Sequence, residues 1–209
     1  MEKKGKKYFP TFNIITLGDS GCGKTSIINR CAKNHFDYNI PSTIGINFDY
    51  KELIVKKKKI ILKLIDSSGQ EKYRAVTKNY FKKADAVLFV FSLDDKESFN
   101  SIKYWVDEFN NNNDREDIPK YLIGNKNDLE INVEQTLIDE FVKENKIPFI
   151  STSARTNTKI DELFEEIGKK LYIHHVLKDN DNNNDSNNDS NNDSDNDSYK
   201  EKKHKHCCQ

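Results

Sequence analysis

A short glycine-rich segment at the junction of two kinds of periodicity narrows the possible folds more than anything else in this chain. Phe12-Asn-Ile-Ile-Thr-Leu17 has the β-branched, apolar character of a strand, and Lys24 to Lys33 reads as a helix. Between them stand Gly18, Asp19, Ser20, Gly21, Cys22, Gly23, Lys24 and Thr25, a match to G-x-x-x-x-G-K-[ST]. Glycines here let a backbone wrap closely around an anion with its N–H groups pointing inward. The helix start adds favourable partial charge. The segment therefore predicts a phosphate-binding loop. Lys24 would reach the β- and γ-phosphates, Thr25 would give its hydroxyl to Mg²⁺, and Ser26 would follow in the first helical turn.

Two further motifs follow in order. Asp66-Ser67-Ser68-Gly69-Gln70 closes a second apolar segment, Ile60 to Ile65. A carboxylate at the end of a buried strand can approach Mg²⁺, usually through water. Gly69 has no side chain to keep its N–H from a γ-phosphate, and Gln70 is placed to orient an attacking water. Asn125-Lys126-Asn127-Asp128 follows the apolar segment Tyr121 to Gly124. The two carboxylate oxygens of Asp128 suit the N1 and N2 hydrogens of guanine, a donor pair that adenine lacks. Asn125 can hydrogen-bond a base edge and neighbouring loops, and the stem of Lys126 can lie along a base face.

With these residues in place, the chain resembles the small GTPases of the Ras superfamily, and the Rab family most. The resemblance runs from about Thr11 to Leu177. It includes Ser42-Thr43-Ile44-Gly45-Ile46-Asn47-Phe48, similar to the first switch segment, and Gln70-Glu71-Lys72-Tyr73-Arg74, similar to the second. Ser153-Ala154-Arg155 is similar to the third base-recognition loop. The resemblance implies that Thr43 is a second Mg²⁺ ligand and γ-phosphate sensor, that Phe36 packs on the guanine edge, and that the Ala154 N–H reads guanine O6. Catalysis would rest on Gln70, Lys24 and Thr43, and the metal set would be Thr25, Thr43 and Asp66. GTP or GDP with Mg²⁺ would be the bound cofactors. Two departures stand out: Ile65 where Rab proteins usually carry Trp, and Ser67-Ser68 where the family has Thr-Ala. We expect the Ser68 hydroxyl to lie near the γ-phosphate site and to perturb hydrolysis or Mg²⁺ affinity modestly.

The strand segments 12–17, 46–55, 60–65, 86–91, 121–124 and 149–150 alternate with helical patterns. This predicts an α/β fold: a three-layer P-loop G domain with a mostly parallel six-stranded sheet and helices on both faces. Lys56 to Lys59 reads as a polar hairpin turn, solvated or in contact with acidic lipid or a partner. Phe99, Ile102, Trp105, Val106 and Phe109 fall at helical spacing, which makes Trp105 a core residue. Leu163, Ile167, Leu171 and, more loosely, Ile173 give a last amphipathic helix. The 209 residues carry a formal net charge of +0, which points to no nucleic-acid partner. Four cysteines, badly placed for pairing, do not make a disulfide framework. Cys22 and Cys31 read as small buried residues. The basic start, residues 1–10, is followed by no apolar run that resembles a signal peptide.

Composition changes at Asp179. From there to Ser198 the chain contains only Asp, Asn and Ser, with Asn-Asn-Asp-Ser repeated at 183–186, 187–190 and 191–194. Such a segment cannot bury apolar area, so a disordered C-terminal tail is expected over residues 178–209. It ends in a basic stretch and then Cys207-Cys208-Gln209. His206 holds the fourth position from the end, so this is not a CaaX box. The adjacent cysteines resemble the double prenylation signal of Rab proteins. Two lipid chains would anchor stably where one binds reversibly. Metal binding by His204, His206, Cys207 and Cys208, or unmodified thiols, stay open as other uses of this end. The resemblance implies an exchange factor, a GAP, effectors and a prenyl-binding chaperone as partners. It places the protein on the cytoplasmic side of an intracellular or plasma membrane, with a cytosolic pool. Vesicular transport is the expected role. A GTP-held scaffold with little hydrolysis, or a Ras- or Rho-type signalling GTPase, are the alternatives.

Overall fold

The computed structural model describes residues 9–70, 74–115 and 117–188. Strands and helices alternate along them: β1 (Thr11–Leu17), α1 (Lys24–Lys33), β2 (Ile46–Val55), β3 (Lys58–Ser67), α2 (Arg74–Phe81), β4 (Ala86–Ser92), α3 (Lys96–Asn100), α4 (Ile102–Asn111), β5 (Lys120–Asn125), α5 (Gln135–Asn145), β6 (Phe149–Ser151) and α6 (Ile160–Asn188). The sheet order is β2-β3-β1-β4-β5-β6. β2 and β3 pair antiparallel through a hairpin, and every other pairing is parallel. Parallel neighbours need crossover connections, and helices supply them on both faces. The strand order reverses between β1 and β4, and the carboxyl ends of strands at such a point form a ligand crevice.

Side-chain alternation divides the core in two. Ala86, Leu88 and Val90 of β4 pack with Ile27 and Ile28 of α1 and with Leu163, Phe164 and Ile167 of α6. Val87, Phe89 and Phe91 point the other way, into Phe99, Trp105, Phe109 and Ile138 from α3, α4 and α5. A strand apolar on both faces is what a sheet covered by helices on both sides requires, and all seven residues of β4 are buried. At the edge, β2 leaves Tyr50 and Ile54 exposed.

Several local details go beyond the periodicity. The 99–109 stripe is carried by two helices that meet at Ser101. Asp95 caps α3 by accepting from the N–H groups of Glu97 and Ser98, and the Ser98 hydroxyl donates to the Asp95 carbonyl at 2.7 Å. Such short-range bonds compete with a continuous helix. The lysine-rich hairpin needs only two turn residues. Lys56 and Lys57 take φ 48 and 65, while Lys58 and Lys59 join β3. A two-residue turn with positive φ at both positions matches the strand twist but suits Asn-Gly better than lysine. In α6, Ile160 and Phe164 complete the apolar stripe with Leu163, Ile167 and Leu171, and Ile173 is exposed.

The chain divides into two units, Met1–Ile173 and His174–Gln209. The first holds the sheet. The described part of the second, 174–188, is helical. α6 thus runs into the Asp/Asn/Ser stretch. Lengthening an existing helix needs only propagation, not a new nucleus. The basic residues 1–8, the segment 71–73, and residues 189–209 with Cys207 and Cys208 lie outside the described residues. Among the described residues, no helix is long and apolar enough to cross a membrane.

Candidate nucleotide-binding site

The loop after β1 turns sharply into α1. Gly23 has φ 95 and caps α1 with no side-chain hydrogen bond. A Cβ there would lie 2.2 Å from Asn125 Nδ2, so any other residue would push the loop off β5. Without a capping side chain or an acidic residue in the first turn, the N–H groups of α1 are left for an anion. Lys24 is buried, and its ammonium donates to the carbonyls of Gly18 at 2.9 Å and Asp19 at 2.7 Å. Carbonyls orient this charge without cancelling it. Burial pushes the Cys22 thiol above its ordinary value, despite the nearby Lys24. Cys22 therefore acts as a small apolar residue and not as a nucleophile.

At the ends of β3 and β2, three oxygen-bearing side chains meet. Thr25 Oγ1 donates to Asp66 Oδ2 at 2.8 Å and lies 2.9 Å from Thr43 Oγ1. Thr43 Oγ1 donates to the same carboxylate oxygen at 3.2 Å. Asp66 Oδ1 is buried with no hydrogen-bond partner among the described residues. Burial raises the Asp66 carboxyl above its ordinary value, opposed by the threonine hydroxyls and the charge of Lys24. An all-oxygen donor set with one orphaned carboxylate oxygen fits a hard cation such as Mg²⁺. The structure brings together Thr25, Thr43 and Asp66, the three residues named as metal ligands from the sequence.

The chain after β3 is described through Gln70 and resumes at Arg74. Gly69 lies against the phosphate loop, where a Cβ would come within 2.3 Å of Asp19 C and Ser20 N. Only glycine permits that approach. Ser68 sits in the turn that leads to Gln70. Its hydroxyl accepts from the Gln70 N–H at 3.2 Å, while its own N–H donates to the Gly45 carbonyl at 3.0 Å. It closes a turn under Gln70 and is not among the cleft-lining residues. Ser67 lines the cleft instead, with its hydroxyl donating to the Thr16 carbonyl at 2.6 Å. Gln70 itself is half-buried and outside the lining.

The base end is built by β5 and the loop after β6. Asn125 is buried. Its amide donates to the Cys22 carbonyl at 3.0 Å and accepts from the Ala154 N–H at 3.2 Å. It thereby fastens the phosphate loop to the third recognition loop. Asp128 accepts from Ser153 Oγ at 2.5 Å and pairs with Arg155 Nη1 at 3.5 Å. Arg155 also lies over the ring of Tyr38, which meets Phe36 edge-on at 5.1 Å. Lys126 adopts φ 64, and its ammonium lies 3.5 Å from Asp94 Oδ1. A cleft of about 440 Å³ joins the two ends, lined by Lys24, Thr25, Thr43, Phe36, Asp128 and Ala154 among others. That volume is in the range of small-molecule sites.

Sequence reasoning missed three supports. Asp94 holds Lys126. Arg30 donates to the carbonyls of Ala154 at 2.8 Å and Arg155 at 3.0 Å, which fixes the third loop. Trp105, expected only as core, donates from Nε1 to Asp19 Oδ1 at 2.8 Å. None of these pairs is near in sequence, so no local pattern announces them.

The Ras family model matches residues 13–173. The chain belongs to the Ras family. Curated relatives place it among Rab-like members. Ras-related protein Rab-13 of Bos taurus is 32% identical over 170 residues, covering 80% of this chain and 83% of that protein. Ras-related protein Rab-11B of Dictyostelium discoideum is 35% identical over 161 residues, covering 76% and 73%. GTP-binding protein ypt1 of Schizosaccharomyces pombe is 31% identical over 170 residues, covering 79% and 82%. This Ras-family protein is a Rab-like small GTPase, an enzyme that hydrolyses GTP.

Proposed function

We propose that this Rab-like GTPase is a slow, membrane-anchored switch in vesicular transport, and that the cleft binds GTP and GDP with Mg²⁺. The observation that carries the switch is the convergence of Thr25, Thr43 and Asp66 on one point. Thr43 comes from the segment before β2 and Asp66 from β3, so a ligand that engages both ties a loop to the sheet. Thr25, Thr43 and Asp66 would hold Mg²⁺, which neutralises phosphate charge when bound. Lys24 places its fixed charge at the β- and γ-phosphates, the Gly69 N–H approaches the γ-phosphate, and Gln70 orients the attacking water. Asp128 selects guanine, with Asn125, Ser153, Ala154 and Arg155 shaping its loop.

Phosphoryl transfer of this kind is mostly positioning and charge stabilisation. We expect an intrinsic rate on the order of 10⁻⁴ s⁻¹, the scale of unassisted Ras, raised by a GAP-supplied arginine. GTP would order the segments around Thr43 and Gly69, effectors would bind that form, and hydrolysis would release it. Exchange factor, GAP, effectors and a prenyl-binding chaperone complete the cycle. Prenylation of Cys207 and Cys208 would place the protein on the cytoplasmic face of a membrane, since two chains anchor stably. The GTP-held scaffold drew its support from a Ser68 hydroxyl at the γ-phosphate. A Ser68 hydroxyl engaged by the Gln70 N–H favours the switch over that reading.

The test is single-turnover hydrolysis with Mg²⁺ for the wild type and Gln70→Leu, after identifying the nucleotide that co-purifies. Bound GDP and slow, Gln70-dependent turnover supports the switch; bound GTP with no turnover in either form rejects it. Flotation with prenylated wild type and Cys207→Ser/Cys208→Ser tests the anchor.

A further inference from the structure

We propose that Trp105 is a positioning residue for the phosphate loop, acting through Asp19, and that its indole reports which nucleotide the loop holds. This rests on the reading that the cleft holds a guanine nucleotide.

Asp19 is where three connections meet. Its carboxylate accepts the Trp105 Nε1–H at 2.8 Å. Its carbonyl accepts the Lys24 ammonium at 2.7 Å and the Cys22 thiol at 3.0 Å. Its backbone faces Gly69 at a separation that excludes a Cβ. Trp105 is itself buried, 1% exposed and packed in the hydrophobic cluster that includes Phe109 of α4. A rigid indole on one helix therefore fixes the peptide from which the phosphate-seeking lysine is held and against which the second switch rests.

The bond is more than core packing. A buried Trp usually finds an acceptor for its N–H, but many carbonyls would serve. Here the acceptor is a carboxylate within the phosphate loop, and hydrogen bonds to charged acceptors are the stronger kind. Affinity for phosphate in such a loop depends on N–H groups held in place beforehand. Loss of the anchor leaves Asp19 free to turn toward solvent and loosens that arrangement. The effect passes to Lys24 through the Asp19 carbonyl and to Gly69 through direct contact.

Trp105 is the chain's one tryptophan, so the protein carries its own probe. The experiment uses the full chain loaded with a fluorescent GDP derivative. Dissociation rates are measured for wild type, Trp105→Phe, Asp19→Ala, Asp19→Asn and the Trp105→Phe/Asp19→Ala double variant. We expect Trp105→Phe and Asp19→Ala each to speed release roughly tenfold, the factor for one hydrogen bond to a charged acceptor. The double variant should be no faster than either single one, the mark of a shared connection. Asp19→Asn keeps an acceptor oxygen but not its charge and should release nucleotide at a rate between those of wild type and Asp19→Ala.

Tryptophan emission of the wild type should differ between the GDP form and a non-hydrolysable GTP analogue, and Asp19→Ala should abolish the difference. The Asp19 comparison and the emission change decide the matter even if Trp105→Phe does not fold. Unchanged release rates with only a lowered Tm, or additive effects in the double variant, would overturn the proposal. So would emission that is indifferent to the nucleotide in a wild type that binds it. Absence of any saturable nucleotide binding by the wild type would instead reject the underlying reading of the cleft.

Discussion

The two ends of the cleft are built differently. At the base end, side chains are paired within the protein: Asn125 to Cys22 and Ala154, Asp128 to Ser153 and Arg155, Lys126 to Asp94. At the phosphate end, Asp66 Oδ1 has no partner among the described residues, Lys24 is held by two carbonyls and the Cys22 sulfur with no carboxylate against it, and α1 starts with no capping side chain. Partnered groups hold a shape without a ligand. Unpartnered buried groups carry a desolvation penalty that a ligand can relieve. On the function proposed above, the base end is a preformed reader and the phosphate end is completed by what binds. In the proposed switch, the end that is incomplete alone would be the end that senses.

This contrast can be broken from either side. Lys24→Ala should have the largest effect. Charge-assisted bonds to phosphate are worth about 1.5–3 kcal/mol each, so GDP affinity should fall by roughly a hundredfold or more by fluorescence titration, and the nucleotide-free Tm should fall as well because the Gly18 and Asp19 carbonyls lose their donor. At the other end, Asp128→Ala should cut the preference for GTP over ATP on the order of a hundredfold, since a site built around paired hydrogen bonds rejects ligands that lack them. An equal loss of affinity for both nucleotides would contradict that role.

Asn125→Ala should show that the base end is structural. It removes bonds to Cys22 and Ala154 at about 1 kcal/mol each, so urea unfolding without nucleotide should report a loss of about 2 kcal/mol. Asp66→Asn should go the other way. The raised carboxyl binds its proton more readily in the folded state than in the unfolded one. Ionised Asp66 therefore lowers the stability of the metal-free fold as pH rises through its raised value. At pH 7 the neutral amide should raise Tm without Mg²⁺ and abolish the Mg²⁺ dependence of nucleotide retention. Smallest and furthest from the cleft, Lys56→Asn with Lys57→Gly should stabilise the hairpin by about 1 kcal/mol, because both positions have positive φ. Nucleotide release should not change.

Much of this molecule was legible in its sequence, but the two ends were legible in different ways. The phosphate loop announces itself because a strand, a glycine-rich turn and a helix must follow one another to cradle an anion. The helix Lys24–Lys33 has the bounds that its residues suggest. Thr43 and Asp66 lie 23 residues apart and come together because β2 and β3 form one hairpin. Alternating apolar strands pointed to that sheet.

The supports were hidden because they join residues distant in sequence by single hydrogen bonds. Trp105 and Asp19 are 86 residues apart and Arg30 and Ala154 are 124 apart, and neither pair alters any local pattern. Ser68 shows the opposite limit. The motif placed it correctly along the chain, but the direction of its hydroxyl depended on the turn at Gln70. The exposed Phe48 ring and the half-buried Tyr80 ring stand 5.5 Å apart, and Phe48 is in register with the buried Ile65. Ile65 stands there where Rab proteins usually carry Trp, a departure that was read in the sequence.

Amide hydrogen exchange on the nucleotide-free, Mg²⁺·GDP and Mg²⁺·GTP-analogue forms tests the contrast most directly. We expect amides of 125–128 and 152–155 to be protected to the same extent in all three. Amides of 43–45 and 66–70 should gain protection with GDP and again with the GTP analogue. Unprotected base-end amides in the nucleotide-free protein, or gains spread evenly over both ends, would contradict a preformed reader joined to a ligand-completed sensor.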